Sequence, residues 1–339
     1  MYDNLLYENP GGHEKKELNK EKIIELLNGD DDNSLFLTSQ KIRFSKYRNA
    51  VYIRGVIDIS NYCSCQCPFC GNSANSKVLR YRMSTEDVIQ CIKQAQSDGI
   101  DIIHLASGSD PMVDIKYLEP ILLYCLDQDL EVELAVGIKS KSFYQMLIDL
   151  GVKRIITKFE SSSPEIFAKE KKCGIAYNDF IDHIRGLIAF GFEVGTGNII
   201  GLPGQGVGDI YKDVELIWEL SPNMISTSVF IPNQESNYYN KKAGDRLIAL
   251  RFLAIMNILS SNKKISIPTN STLGAQAKYY ALNIASNMLS VNYTQAAYER
   301  NYSIYSGGGR YRSSLQETEK LISINGLKRI SFREFSHEL

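Results

Sequence analysis

The sequence predicts a parallel (βα)8 barrel of the TIM type, because short apolar segments alternate with amphipathic helical segments from residue 51 onward. Polar or glycine-rich residues follow these apolar segments, as they do at the active-site end of such barrels. The 339 residues suit one large domain or two ordinary ones. A hydrophobic content of 44% and a charged content of 23% are normal for a globular protein.

The domain plan follows from the same patterns. Residues 1–45 are predicted as an N-terminal helical cap, with an amphipathic helix over 15–28 and a second helix near 35–45. Residues 46–325 are predicted as the barrel, without a linker rich in Pro, Gly or Ser. Residues 326–339 are predicted as a C-terminal extension packed on the barrel.

The barrel strands are read from the apolar segments, and Ser84 with Asp87 three residues later predicts the start of the helix after the first strand. The eight predicted strands cover residues 51–59, 101–106, 131–136, 154–158, 193–200, 224–230, 264–267 and 287–291.

The loop after the first strand carries Cys63, Cys67 and Cys70 in a C-x3-C-x2-C spacing. Thiolates are the usual ligands of iron–sulfur clusters, and three of them leave one iron of a four-iron cluster open for another ligand. A zinc knuckle with Cys65 as fourth ligand is the alternative, although zinc ribbons normally use two separate cysteine pairs. A loop that binds no metal is a further alternative. Cys65 fits no ligand spacing and is predicted to be a bystander.

Composition argues against several other functional classes. The net charge of −1 gives no basic surface for nucleic acid. No apolar run approaches the length of a membrane span, and the N-terminus shows no apolar signal core. The seven cysteines do not form a secreted disulfide framework, and thiolate ligands must stay reduced. We therefore expect a cytoplasmic protein that binds neither nucleic acid nor membranes.

The cysteine spacing, with Phe69 just before the last cysteine, resembles the radical S-adenosylmethionine (SAM) superfamily. Within it, residues from about 54 to 308 resemble the branch of the FeFe-hydrogenase maturase HydE, and more loosely methylornithine synthase and biotin synthase. The Gly-Leu-Pro-Gly-Gln run at 201–205 and the Phe-Ile-Pro run at 230–232 carry this closer likeness. Because no cysteine lies beyond Cys173, a second cluster near the C-terminus is not expected.

The resemblance implies one 4Fe–4S cluster on the three cysteines, which are the catalytic and metal-binding residues, with SAM on the open iron. SAM would be cleaved to a 5′-deoxyadenosyl radical by an electron from a donor such as flavodoxin or ferredoxin. Glu160 would hold the amine or a ribose hydroxyl of SAM, and the apolar run at 230–232 would hold adenine. The residues predicted to bind SAM are Phe69, Ser107, Gly108, Lys158, Glu160, Gly201, Phe230, Ile231 and Pro232.

The remaining strand exits predict a substrate site of hydrogen-bond donors and a few cations. That balance suits a small anionic or zwitterionic molecule bound by its carboxylate. The predicted substrate residues are Lys139, Asn270, Ser271, Thr272, Asn292, Tyr298 and Tyr302. Metallocofactor maturation is the leading hypothesis. An amino-acid mutase resembling methylornithine synthase and a non-catalytic iron–sulfur scaffold are the alternatives.

Overall fold

The computed structural model describes residues 5–7, 17–304 and 313–338. Parts of the predicted N-terminal cap, the end of the region of resemblance at 305–308 and the last residue lie outside this range. The strands are β1 (Leu6–Tyr7), β2 (Glu17–Leu18), β3 (Ala50–Ser60), β4 (Ile102–Ser107), β5 (Glu131–Ala135), β6 (Arg154–Ile156), β7 (Glu193–Thr196), β8 (Ile199–Ile200), β9 (Met224–Ile225), β10 (Ser228–Val229), β11 (Met288–Asn292) and β12 (Lys328–Arg329).

Helices separate the barrel strands, and the predicted helix start at Ser84 is confirmed by its side chain, which accepts a hydrogen bond from the Asp87 amide at 3.1 Å. A short 3-10 turn covers Ser271–Leu273. The α-helices are α1 (Lys20–Asn28), α2 (Asp32–Tyr47), α3 (Thr85–Ser97), α4 (Ile115–Asp127), α5 (Lys141–Asp149), α6 (Pro164–Glu170), α7 (Tyr177–Ala189), α8 (Val207–Leu220), α9 (Arg246–Leu259), α10 (Gly274–Ile284), α11 (Ala296–Glu299), α12 (Leu315–Ile324) and α13 (Phe332–Glu338).

The main sheet is parallel and confirms the predicted barrel, with strand order β11-β3-β4-β5-β6-β7-β9. Its seventh position is weaker than predicted. In the described part of the chain, residues 264–268 join the neighbouring strands through two isolated bridges, from Ser266 to Met224 and from Pro268 to Met288. Pro268 has no amide hydrogen to donate, so a regular ladder cannot run through it.

The predicted fifth and sixth strands are each broken in two. β7 pairs with β6 and β9, whereas β8 pairs with β10 in a separate two-stranded sheet. The break falls at Gly197, whose φ is +158°. A β-carbon there would collide with the Ser226 carbonyl and lie 2.7 Å from its carbon. The break therefore requires glycine at position 197. Beyond it, β8 and β10 leave the main sheet and pair with each other.

Alternate residues of β3 face opposite sides, which sets what lies inside the barrel. Val51, Ile53 and Ile57 pack in the main apolar core between strands and helices. Arg54 and Asp58, on the other face, line the interior. The first barrel strand therefore contributes both to the core and to an internal polar surface.

The helices α2 and α13 near the two ends of the described chain pack on the barrel. Arg251 of α9 forms an ion pair with Asp32 at the start of α2, at 2.7 Å. Near the C-terminal end, β12 pairs with the first residues of β3, and Phe335 of α13 stacks on Tyr47 and contacts Tyr52 at a tilt of 45°. These aromatic contacts cover the N-terminal end of β3. Within the residues the structure covers, no helix is both long and apolar enough to span a membrane.

Candidate cluster and cofactor site

The cysteine loop is held closed by Arg80, which the sequence analysis did not single out. Its Nη1 donates to the carbonyls of Asn61 and Asn72 at 2.6 and 2.9 Å, and its Nη2 donates to those of Ser73 and Ser76 at 2.5 and 3.2 Å. One guanidinium thus ties both ends of the loop together. The sequence does not predict this contact, because every residue type has the backbone carbonyl group that Arg80 binds.

The thiols of the loop pack together in an apolar pocket with Phe69 and Phe230. Cys63 Sγ accepts hydrogen bonds from the amides of Cys65 and Ser109, both at 3.4 Å. These donors stabilise a thiolate. The thiol of Cys65 donates to Ser109 Oγ at 3.3 Å, so this cysteine has a protein partner of its own.

The chemistry of these donors fits an iron–sulfur cluster. No three side chains of His, Cys, Asp or Glu among the described residues converge on the position of one metal ion. A cluster of several irons is larger and holds its thiolate ligands farther apart than a single ion does. Burial raises the pKa of the Cys70 thiol to about 12, so binding of a cluster there would displace its proton.

Gly108 brings the second strand exit against the loop. A β-carbon at this position would collide with the Tyr62 carbonyl and lie 2.6 Å from Cys63 Cβ. Only glycine allows so close an approach. Ser107 was predicted to bind SAM, but its hydroxyl is already used within the protein, where it donates to the Gly108 carbonyl at 2.7 Å.

Glu160 lies between two lysines at the fourth exit. Its carboxylate oxygens are 3.2 Å from Lys158 Nζ and from Lys171 Nζ. Burial alone would raise the pKa of Glu160, but the two ammonium charges outweigh burial and hold the pKa below its ordinary value. Lys158 also donates to Ser228 Oγ at 2.9 Å. The site is therefore a fixed, charged acceptor, and the sequence analysis missed Lys171.

The fifth and sixth exits supply an apolar wall beside the cysteines. Phe230 packs with Ile199 and Leu202 in the cluster of side chains that contains Cys65 and Cys67. Ile231 is also buried, whereas Pro232 is half-buried. The Gly201 amide donates to Gln205 Oε1 at 2.6 Å, which fixes the turn between the two exits. The structure thus brings the predicted adenine wall to the cysteine loop.

A cavity of about 150 Å³ lies inside the barrel. Along β3 its lining residues precede the cysteine loop, so the cavity lies beneath that loop. Thr269 lines it, and its buried hydroxyl has no hydrogen-bond partner among the described residues. A buried polar atom without a partner is costly, and a bound ligand would satisfy it. The predicted substrate residues that line this cavity are Asn270, Ser271, Asn292 and Tyr302.

Three predicted substrate residues are not among those that line the cavity. Lys139 Nζ donates to the Asp110 carbonyl at 2.8 Å, near the second exit. The Thr272 hydroxyl is used within the protein, where it accepts from the Val229 amide at 2.8 Å. Tyr298 donates to Asp87 Oδ2 at 2.8 Å, at the start of α3. A strand exit places a residue at the correct end of the barrel without fixing the direction of its side chain.

The floor of the cavity is an ionic network that the sequence analysis did not predict. Arg54 forms a short ion pair with Glu133, and His104 Nδ1 lies 2.9 Å from the same carboxylate oxygen. Burial, together with the Arg54 charge, lowers the pKa of His104, so the neutral ring donates its Nδ1 proton to Glu133. Arg54 Nε also donates to Ser290 Oγ at 2.9 Å.

Two further charged residues line the cavity. Asn292 Nδ2 donates to Asp58 Oδ2 at 2.9 Å, and Lys278 reaches the lining from α10. The cavity therefore has cations and an anion on its walls. The sequence did contain a signal for this polar interior. Arg54 and Asp58 are four residues apart in an otherwise apolar strand, so their side chains lie on the same face.

The chain is similar to several known proteins. The family model of the radical SAM superfamily matches residues 57–217. The [FeFe] hydrogenase maturase subunit HydE of Thermotoga maritima is 27% identical over 299 residues, which cover 87% of this chain and 86% of that protein. The 3-methylornithine synthase of Methanosarcina acetivorans is 21% identical over 272 residues, 79% of this chain and 77% of that protein.

Solved structures show the same fold. The methylornithine synthase PylB superimposes with a TM-score of 0.85 at 18% identity, covering 97% of this chain and 98% of that one. The FeFe-hydrogenase maturase HydG from Carboxydothermus hydrogenoformans gives a TM-score of 0.78 at 17% identity, over 92% of this chain and 76% of that one.

Proposed function

We propose that this chain is a member of the radical SAM superfamily, that it binds a 4Fe–4S cluster through Cys63, Cys67 and Cys70, and that it acts on a small substrate that carries a carboxylate. The bound cluster and SAM supply the chemistry of the family, in which one electron cleaves SAM to methionine and a 5′-deoxyadenosyl radical. The observation that carries the substrate proposal is the polar cavity beneath the cysteine loop.

The strand exits would hold SAM on the cluster. Glu160 is a fixed anion that suits the ammonium group or a ribose hydroxyl of SAM. The apolar wall of Phe230 and Ile231 suits adenine. Gly108 permits backbone groups to approach the methionine end. A one-electron donor such as flavodoxin or ferredoxin is the partner we infer, in a reducing compartment such as the cytoplasm.

The cavity would hold the substrate within reach of the radical. Its β3 residues Arg54, Val56 and Asp58 lie on the strand that leads directly into the cysteine loop, and Asp58 is two residues before the end of that strand at Ser60. Arg54 and Lys278 supply the cations for a carboxylate, and Thr269 supplies an unused hydroxyl. The barrel walls would also keep water and competing groups from the radical.

The likeness to HydE supports a role in metallocofactor maturation, with a small metal-bearing or amino-acid-derived substrate. A second candidate is an amino-acid mutase like the methylornithine synthases. The volume of about 150 Å³ and the presence of both charge signs in the cavity favour this candidate as well, because a free amino acid is compact and zwitterionic. Incubation with SAM, reductant and candidate amino acids, followed by mass spectrometry, separates the two.

The cluster assignment is tested by anaerobic reconstitution, dithionite reduction and chromatography for 5′-deoxyadenosine. Replacement of Cys63, Cys67 and Cys70 by alanine should abolish both the iron content and the product. Cys65→Ala is the matched control, because Cys65 and Cys67 are equally buried in the same loop. It should retain both. The same product yield from the triple variant would refute the assignment.

A further inference from the structure

A buried carboxyl group on α8 lies behind the fourth and fifth strand exits. Asp213 is fully buried, and no ion pair to it occurs among the described residues. Its Oδ1 accepts from the Ser162 amide at 2.7 Å and from the Ser162 hydroxyl at 2.6 Å. Its Oδ2 accepts from Asn198 Nδ2 at 2.8 Å. One side chain therefore joins two exits that are far apart in sequence.

Both residues that Asp213 holds are close to the backbone of Glu160. Ser162 follows Glu160 by two residues. Asn198 forms a bridge with Glu160, whose amide donates to the Gly197 carbonyl at 3.1 Å and whose carbonyl accepts from the Ile199 amide at 2.8 Å. Glu160 itself has a φ of +67°, which is unfavourable for a residue with a β-carbon. Such a conformation persists only where its surroundings enforce it.

Burial raises the pKa of Asp213 to about 7, so the carboxylate is held there at a cost in folding free energy. An apolar residue would fill the same space without that cost. Three hydrogen bonds to this carboxylate offset part of the cost of burial. All three come from residues in the segments that flank Glu160.

We propose that Asp213 is a positioning residue that sets SAM affinity by holding Glu160 in its left-handed conformation. This inference rests on the proposed contact between Glu160 and SAM. Asp213 is not among the described residues that line the cavity, and its hydrogen bonds within the described part of the chain go to Ser162 and Asn198, so an effect on binding would pass through the strand exits.

The test is a double-mutant cycle on SAM affinity, measured by anaerobic calorimetry of the cluster-loaded protein. Glu160→Gln should weaken SAM binding by about ten- to a hundredfold, as expected for loss of a charge-assisted hydrogen bond. Asp213→Ala should weaken it by about tenfold. The double variant should be no weaker than Glu160→Gln alone, because both changes remove the same contact.

Two further variants separate positioning from general stability. Asp213→Asn should keep the SAM affinity of the wild type, unlike Asp213→Ala, because its amide oxygen can still accept hydrogen bonds from Ser162. It can also donate to Asn198 once that amide rotates, since Asn198 Oδ1 is buried without a partner among the described residues. Asp209→Asn, one turn earlier on α8 where the side chain caps Gly206, should leave affinity unchanged.

If Asp213→Ala does not load its cluster, Asn198→Ala removes one of the same ties and should give a smaller loss that is again absent in the Glu160→Gln background. Additive losses would overturn the positioning role while leaving the SAM site intact. Unchanged affinity in Glu160→Gln would overturn the proposed contact itself, and the positioning role with it.

Discussion

The ionic floor of the cavity makes a sharp prediction for Glu133→Gln. Burial alone would raise the pKa of Glu133, but the Arg54 charge and the His104 hydrogen bond outweigh it and hold the pKa at about 2. The difference from 4.5, at about 1.4 kcal/mol for each pKa unit, corresponds to about 3 kcal/mol of stability at neutral pH. The amide cannot neutralise Arg54, and a buried charge without its partner costs about 3–5 kcal/mol.

The assay is urea unfolding of the cluster-loaded protein at pH 7 under anaerobic conditions, followed by circular dichroism. The matched control is Glu131→Gln, two residues earlier on β5, where Glu131 pairs with Arg154 but is partly exposed. Such a pair contributes about 0–1 kcal/mol. We expect Glu133→Gln to lose about 3 kcal/mol or more and the control to lose less than about 1 kcal/mol. Equal losses would show that Arg54 is not held by Glu133.

Four other predictions follow. Gly108→Ala should lower the iron content after reconstitution because its methyl group displaces the cysteine loop, whereas Gly208→Ala, with open space around it, should not. Lys158→Met should weaken SAM or substrate binding by about 1.5–3 kcal/mol in calorimetry, and unchanged affinity for both would remove Lys158 from the site. Tyr298→Phe should cost about 0.5–1.5 kcal/mol in unfolding experiments and leave the substrate KM unchanged. Because the pKa of folded Asp213 is about 7, against 3.8 for the unfolded residue, wild-type stability should fall relative to Asp213→Asn as pH rises from about 4 to 7, and parallel curves would contradict this.

The strand pattern of the barrel could be predicted because strands buried on both faces form apolar runs that helices separate. The predicted strand over 131–136 matches β5 to within one residue. The predicted strand over 193–200 did not reveal its own break, since glycine at position 197 is compatible with a strand until the Ser226 carbonyl occupies the space for a β-carbon. The weak seventh strand had a visible signal in Pro268, which cannot donate to a ladder.

The cysteine spacing predicts where a cluster would lie, because all three thiols come from one short loop. The polar floor was not predicted, because Arg54, His104 and Glu133 come from three strands and meet only when the sheet closes. A charged residue inside an apolar strand gives no indication of its partner. Residues at strand exits were predicted less well, as Lys139 shows, because a long side chain there can bend towards another loop.

The two charged clusters of the barrel are built differently, and this difference bears on specificity. At the floor, Glu133 is satisfied by Arg54 and His104, so the network is fixed before a substrate arrives. At the fourth exit, Glu160 has two lysines and one oxygen that receives no properly directed hydrogen bond among the described residues. A ligand that donates to this oxygen would gain a charge-assisted bond. The carboxylate at the fourth exit can thus accept one further hydrogen bond, whereas the charges at the floor already satisfy one another.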